Sequence, residues 1–292
     1  MFSQFFGHYL LNNSVITNVQ LNEALVKKSE TRVKLGVLAI NAGFMTAAQV
    51  EEVHQQQMRV DKRIGDIAVD MGFLTTAQVD ELLGSQKSAH LLLGQTLVDL
   101  EYMTNAQFEN ALVDYKKQYQ LDDSDFADET VDKTRDIVSE FLGFNDIRNF
   151  DFCVDYISLL FKTLTRFVSD EFTPLEPICG SDIDFDLMVT QYIKGAFSAY
   201  TAISFEPDAM SAFAAKYAKE DISDTEYAEA VASEFLNLHN GLFAVNVSTE
   251  RNIELSLLPQ VTEKNAWIST DNFCIELPIS FPFGVVRFVI VL

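Results

Sequence analysis

The sequence predicts two domains of different architecture: an all-α helical repeat, then an α+β domain with an antiparallel sheet and one long helix. Three observations carry this. A pattern recurs every 29 residues through residues 1–118. The charge then changes: residues 1–118 carry a net −3 and residues 119–292 a net −19, out of −22. Beyond that break, helical and strand periods are grouped rather than strictly alternating, as in α+β chains. A length of 292 residues suits two domains.

The repeat is read from three aligned stretches: KLGVLAINAGFMTAAQVEEVHQQQ from Lys34, RIGDIAVDMGFLTTAQVDELLGSQ from Arg63 and LLGQTLVDLEYMTNAQFENALVDY from Leu92. A fainter copy lies upstream, so Gly7, Gly36, Gly65 and Gly94 keep one period. Each copy contains T-x-x-Q: Thr17/Gln20, Thr46/Gln49, Thr75/Gln78 and Thr104/Gln107. This is a capping box, in which the threonine hydroxyl accepts from the third helical amide and the glutamine reaches back to the cap amide. Apolar residues flank each box (Ile16/Leu21, Met45/Val50, Leu74/Val79, Met103/Phe108) as a hydrophobic staple. Gly43 and Gly72 stand where the preceding helix must stop, in the left-handed position after its end. Each unit is therefore a short helix, a tight turn and a second helix, in a stack spanning 1–118. The polar, Asp-rich run after it predicts a linker over 119–128.

Residues 129–292 form the second domain. ETVDKTRDIVSEFL and DFCVDYISLLFKTLTRFV have helical spacing. EFTPLEPIC (171–179) contains two prolines, which places it at a sheet edge or at a bulge. DLMVTQYIKG (186–195) and AFSAYTAISF (196–205) read as a hairpin. A helix is expected from Pro207 to near Lys219, and a longer one after Asp221 or Ser223. NIELSLLPQV, DNFCIELPIS and GVVRFVIVL are the remaining expected strands.

Several classes are excluded as expectations. A net charge of −22 repels nucleic-acid polymers. Cys153, Cys179 and Cys274 have no metal-ligand spacing and fit reduced thiols, and the four histidines form no H-E-x-x-H, so no metal of its own is expected. G-x-S-x-G and G-x-x-x-x-G-K-[S/T] are absent. The apolar VVRFVIVL is far shorter than the ~20 residues of a membrane helix, so no membrane insertion is expected. The first residues lack a basic region and a cleavage site, which points to the cytoplasm.

The pattern [R/K]-[L/I]-G-x6-G-F-[M/L]-T-x-x-Q-V-x6-Q, present at 34–57 and 63–86 with the spacer MRVDK between, resembles the MshE N-terminal domain of type II secretion and type IV pilus ATPases. In that family such tandem motifs bind cyclic di-GMP. The resemblance implies a site made of Lys34, Leu35, Gly36 and Gln57 with Arg63, Ile64, Gly65 and Gln86. Lys34 and Arg63 would meet phosphates or guanine edges, the glycines would admit the ligand to the backbone, and the glutamines would close each motif. The outer copies lack the basic residue, which is Leu92 in the last copy, and are not expected to bind.

In the second domain, Glu234, Asn237 and Gly241 lie at i, i+3 and i+7, on one helix face. With the elements around them, over about residues 150–292, they resemble the E-x-x-N-x-x-x-G motif of the CheX branch of the CheC/CheX/FliY chemotaxis phosphatases. The resemblance implies hydrolysis of the aspartyl phosphate on a CheY-like response regulator. Asn237 would accept from and orient the attacking water, and Glu234 would pair with a cationic residue of the regulator. Mg²⁺ would be supplied by the regulator. A second copy of the chain is a further expected partner. Two other classes stay open: a non-catalytic cyclic di-GMP sensor, and a protein–protein adaptor in chemotaxis or motility.

Overall fold

The computed structural model describes residues 2–84, 89–122, 131–143, 150–180, 182–206, 208–270 and 272–292. The chain divides into two compact units, Phe2–Glu129 and Thr130–Leu292.

The described part of the first unit is helical: α1 (Phe2–Asn12), α2 (Asn18–Lys27), a 3-10 turn (Lys28–Glu30), α3 (Leu35–Asn41), α4 (Ala47–Gln57), α5 (Ile64–Asp70), α6 (Thr76–Gly84), α7 (Ala89–Asp99) and α8 (Asn105–Gln118). Thr17, Thr46 and Thr104 close capping boxes at α2, α4 and α8. At α6, Gln78 N–H donates to the Thr75 hydroxyl at 3.2 Å and Thr75 N–H to Gln78 Oε1 at 2.8 Å. The preceding helices end through left-handed residues. Gly43 (φ +67°) and Gly72 (φ +74°) stop α3 and α5, and the next amides, of Phe44 and Phe73, donate back to Ala39 and Ala68, both at 2.9 Å. Ser14 (φ +55°) and Glu101 (φ +60°) make the same turn without glycine's freedom.

Gly36, Gly65 and Gly94 explain how tightly the paired helices cross. A Cβ at Gly36 would lie 2.7 Å from Val50 Cγ1, and one at Gly94 only 2.2 Å from Phe108 Cε2. Phe108 is fully buried and meets Phe6 edge-on at 6.2 Å, so it has no room to yield. Gly94→Ala is expected to cost about 1–3 kcal/mol of stability through overpacking, measured by urea or thermal unfolding.

The copies do not pack on their neighbours in the chain alone. In an open stack each copy touches only its neighbours, whereas α1 and α2 pack on α7, and α1 also on α8. The cause is aromatic: Phe6 and Tyr9 of α1 pack on Tyr115 of α8 with centroids 5.4 and 5.2 Å apart. The first copy thus closes against the last.

The second unit contains α9 (Val131–Leu142), α10 (Phe150–Phe167), β1 (Thr173–Pro174), β2 (Ile178–Cys179), β3 (Asp182–Gly195), β4 (Ala199–Phe205), α11 (Ala209–Ala218), α12 (Thr225–Arg251), β5 (Leu255–Leu257), β6 (Val261–Ser269), β7 (Cys274–Phe281) and β8 (Gly284–Val291). The sheet is antiparallel with order β1-β7-β8-β4-β3-β5; β2 also pairs with β7 and β6 with β3. The predicted hairpin is β3–β4, with Met188 opposite Ser204 and Ile193 opposite Ala199. The two-proline stretch forms the short strands β1 and β2, as an edge segment should.

The long helix lies across one face of the sheet, on β3, β4 and β5, and packs on α10 and α11. Phe288 of β8 faces it, 6.2 Å from Phe235. Alternation therefore puts Val289 and Val291 on the other face. There they join Ala202, Cys274, Met188, Ile183, Phe185 and Ile268 in a second apolar cluster.

Several boundaries differ from the sequence reading. The long helix starts at Thr225, because Asp224 rather than Asp221 or Ser223 caps it, its carboxylate accepting from Tyr227 N–H at 2.8 Å. Pro207 lies outside the described residues, and α11 begins at Ala209. Of the strand expected over 252–261, Leu255–Leu257 forms β5 and Val261 opens β6, a strand the sequence reading lacks. Residues 261–265 and Trp267 of β6 are exposed, so no alternation of apolar and polar residues marks it.

Candidate functional site

The long helix is amphipathic in the way its motif requires. Val231, Ala232, Phe235, Leu236, His239, Asn240 and Phe243 are buried. Leu238 and Leu242 are half-buried. Ala230, Glu234 and Asn237 are exposed and Gly241 partly so, at helical spacing along the outward face. The C-terminal end of the helix is pinned by charge: Asp155 of α10 pairs with Arg251 of α12 and with Arg135 of α9. The Arg251 guanidinium also lies 4.3 Å from the Phe152 ring centroid.

The structure brings Glu234 and Asn237 together on that face. Glu234 makes no hydrogen bond or ion pair among the described residues. It flanks a groove between α11 and α12 lined also by Phe167, Tyr217, Lys219, Tyr227 and Ala230. Burial, and then the Glu234 carboxylate, raise the Tyr217 phenol above its ordinary pKa. The Tyr227 hydroxyl donates to Glu220 at 2.6 Å.

Asn237 is held from beneath. Its Oδ1 accepts from Gln191 Nε2 at 2.8 Å, and the same Nε2 donates to Leu258 O at 2.9 Å. Asn240 Nδ2 donates to Gln191 Oε1 at 2.8 Å and to Thr201 Oγ1 at 2.9 Å. The Tyr156 hydroxyl donates to Asn240 Oδ1 at 2.7 Å. Sequence reasoning missed Gln191 and Asn240. The available signal was a glutamine inside the apolar run LMVTQYI and an asparagine on an apolar helix face, both in conflict with their surroundings.

In the first unit, Lys34 and Arg63 stand at the N-caps of α3 and α5. Lys34 is occupied: its Nζ bonds Asp99 at 2.7 Å, and its N–H donates to Gln95 Oε1 at 2.9 Å. Arg63 is exposed and makes no side-chain hydrogen bond or ion pair among the described residues. Leu35, Gly36 and Ile64 meet around a small apolar pocket with Met45, Val50, Val53 and Ala68. Leu35 Cδ2 would lie 3.3 Å from a Cβ at Gly65. Gln57 is exposed and donates to Lys62 O at 3.2 Å. Gln86 lies outside the described residues. The motif residues thus converge at Leu35, Gly36, Ile64 and Gly65, while Lys34 is engaged by α7.

Among the described residues, no group of three or more His, Cys, Asp or Glu could hold a metal ion, and no helix is long and apolar enough to cross a membrane.

The chain matches no protein-family model and none of the curated proteins. Its C-terminal half is similar to several solved structures. One is a CheC-like superfamily protein from Shewanella sp. PV-4, at 22% identity and TM-score 0.43, covering 49% of this chain and 98% of that one. Another is the chemotaxis protein CheX from Vibrio vulnificus, at 17% identity and TM-score 0.41, covering 48% and 98%. A third is the Borrelia burgdorferi CheX–CheY–BeF3–Mg complex, at 15% identity and TM-score 0.38, covering 48% and 96%.

Proposed function

We propose that the second unit removes the phosphoryl group from the aspartyl phosphate of a CheY-like response regulator, in bacterial chemotaxis or motility signalling. The observation that carries this reading is Glu234 and Asn237, exposed one helical turn apart on α12, with Asn237 anchored by Gln191. An aspartyl phosphate is an acyl phosphate. Water attacks phosphorus in line, and the bond from phosphorus to the carboxylate oxygen breaks, leaving its electron pair on the regulator's aspartate. The proton of the water ends on the released phosphate. Such a step needs positioning more than covalent chemistry. A neutral amide on a rigid helix suits the placement of water, and an unpaired carboxylate suits docking against a cationic side chain. The Mg²⁺ that neutralises the phosphoryl oxygens comes with the regulator. The test adds the full chain to a panel of receiver domains phosphorylated by a small acyl-phosphate donor. A shortened phosphoryl lifetime on one of them supports the reading, and unchanged lifetimes across the panel remove it.

The motif glycine supports an approaching partner. A Cβ on Gly241 would meet no atom within 4 Å, so packing gives no reason for glycine in mid-helix. Gly241→Ala is expected to stabilise the unit by about 0.5–1 kcal/mol through helix propensity. It is also expected to raise KM for the phosphorylated regulator, since a methyl group would hold the partner off the backbone. Melting curves and steady-state kinetics on one preparation check both.

A second reading concerns the first unit. The two tandem motifs at 34–57 and 63–86, with Arg63 exposed and making no side-chain bond among the described residues, favour cyclic di-GMP bound across them and regulating the phosphatase. Calorimetry with cyclic di-GMP tests it; no heat at high micromolar ligand removes it.

A further inference from the structure

Resting on the phosphatase reading, the geometry points to Gln191 as a positioning residue that sets which end of the Asn237 amide faces the regulator.

The Leu258 carbonyl can only accept. The Gln191 atom 2.9 Å from it is therefore the donor Nε2. That nitrogen is also 2.8 Å from Asn237, so the Asn237 atom turned inward is Oδ1. The other end of Gln191 agrees. Its Oε1 must face a donor, so Asn240 presents Nδ2 at 2.8 Å and turns Oδ1 to the Tyr156 hydroxyl at 2.7 Å. The Thr201 hydroxyl donates to Gln191 O at 2.9 Å and accepts from Asn240 Nδ2 at 2.9 Å. Every bond in the network has one direction, traced back to one backbone carbonyl. Gln191 is 2% exposed, and Asn240 and Thr201 are fully buried, so water does not compete for these groups.

Asn237 therefore turns its Nδ2 outward with two protons to donate, and Oδ1 keeps one lone pair. The outward group is a donor able to hold a phosphoryl oxygen or the oxygen of the attacking water. This sharpens the sequence reading, in which Asn237 accepts from and orients the attacking water. Gln191 touches no reacting atom and acts through Asn237.

The test uses the full chain and Gln191→Met, which keeps the length of the side chain and removes its donors. Turnover of the phosphorylated regulator is expected to fall about tenfold in kcat. KM is expected to stay within about twofold. In an Asn237→Ala background, Gln191→Met is expected to add no further loss. A second measurement needs neither the variant nor turnover. The side-chain amide of Asn237 in the wild-type chain is expected to show the rigidity of ordered backbone in 15N relaxation. Full activity in Gln191→Met, an equal loss in both backgrounds, or a mobile Asn237 amide in the wild type would each overturn the role of Gln191. An undiminished Asn237→Ala chain, or a wild-type chain with no turnover but a rigid amide, would overturn the phosphatase reading and leave the positioning intact.

Discussion

Asn237→Ala is expected to slow aspartyl-phosphate hydrolysis by about 100-fold or more. The magnitude follows from its work. The regulator already holds the phosphoryl group, the leaving carboxylate and Mg²⁺, so an accelerating partner contributes mainly the placement of water and hydrogen bonds to the phosphoryl oxygens. Removing the placing amide removes most of that contribution. The effect should appear in kcat, because Asn237 is small and the docking carboxylate of Glu234 is untouched. Glu234→Ala should do the reverse, raising KM with a smaller change in kcat. Folding should survive the Asn237 change. Asn237 is exposed, and Gln191 Nε2 keeps its bond to Leu258 O, so the stability cost should stay near about 1 kcal/mol. Thermal melts beside the kinetics check that separation.

Acidification from pH 7 to pH 5 is expected to destabilise both units, the first more than the second. Three histidines are buried as neutral rings. Burial lowers His8 from 6.5 to about 4, and lowers His239 from 6.5 to about 3. Burial, then the charges of Lys116 and Lys28 and the N-terminus, lower His90 from 6.5 to about 3. The folded values lie below the unfolded ones, so the unfolded chain takes up the proton first. Stability is therefore full above about pH 6.5, declines as the pH falls below it, and reaches its floor near the folded values. At pH 5 each ring costs about 2 kcal/mol. The first unit carries two of them and so loses about 4 kcal/mol, a large share of the roughly 5–15 kcal/mol that holds a domain together. Calorimetry at pH 7 and pH 5 reads the fall in melting temperature. A midpoint that does not move would mean that these rings take up protons without unfolding.

The local signals in the sequence were strong wherever one residue does one job at a helix end. The four Thr/Gln pairs cap four helices, and Gly43 and Gly72 end two more, because capping depends on residues three or four apart. The exposed face of α12 was legible for the same reason. Features built from distant residues were not. The contact of Phe6 and Tyr9 with Tyr115 joins the first copy to the last across about 100 residues, and no period announces it. The Asp99 partner of Lys34 comes from another copy. The polar network under Asn237 draws on α10, β3, β4, α12 and the segment after β5, and only the fold assembles it. The edge strand β6 was invisible because residues 261–265 and Trp267 lie in solvent and carry no burial signal.

One time course decides the assignment. A receiver domain carrying a labelled aspartyl phosphate and Mg²⁺ is mixed with a stoichiometric amount of the full chain, or of its Asn237→Ala variant, and the remaining acyl phosphate is counted. Phosphatase action by α12 predicts rapid loss with the wild-type chain and near-spontaneous decay with the variant. Equal decay in both, whether fast or slow, would show that Asn237 does not do this chemistry.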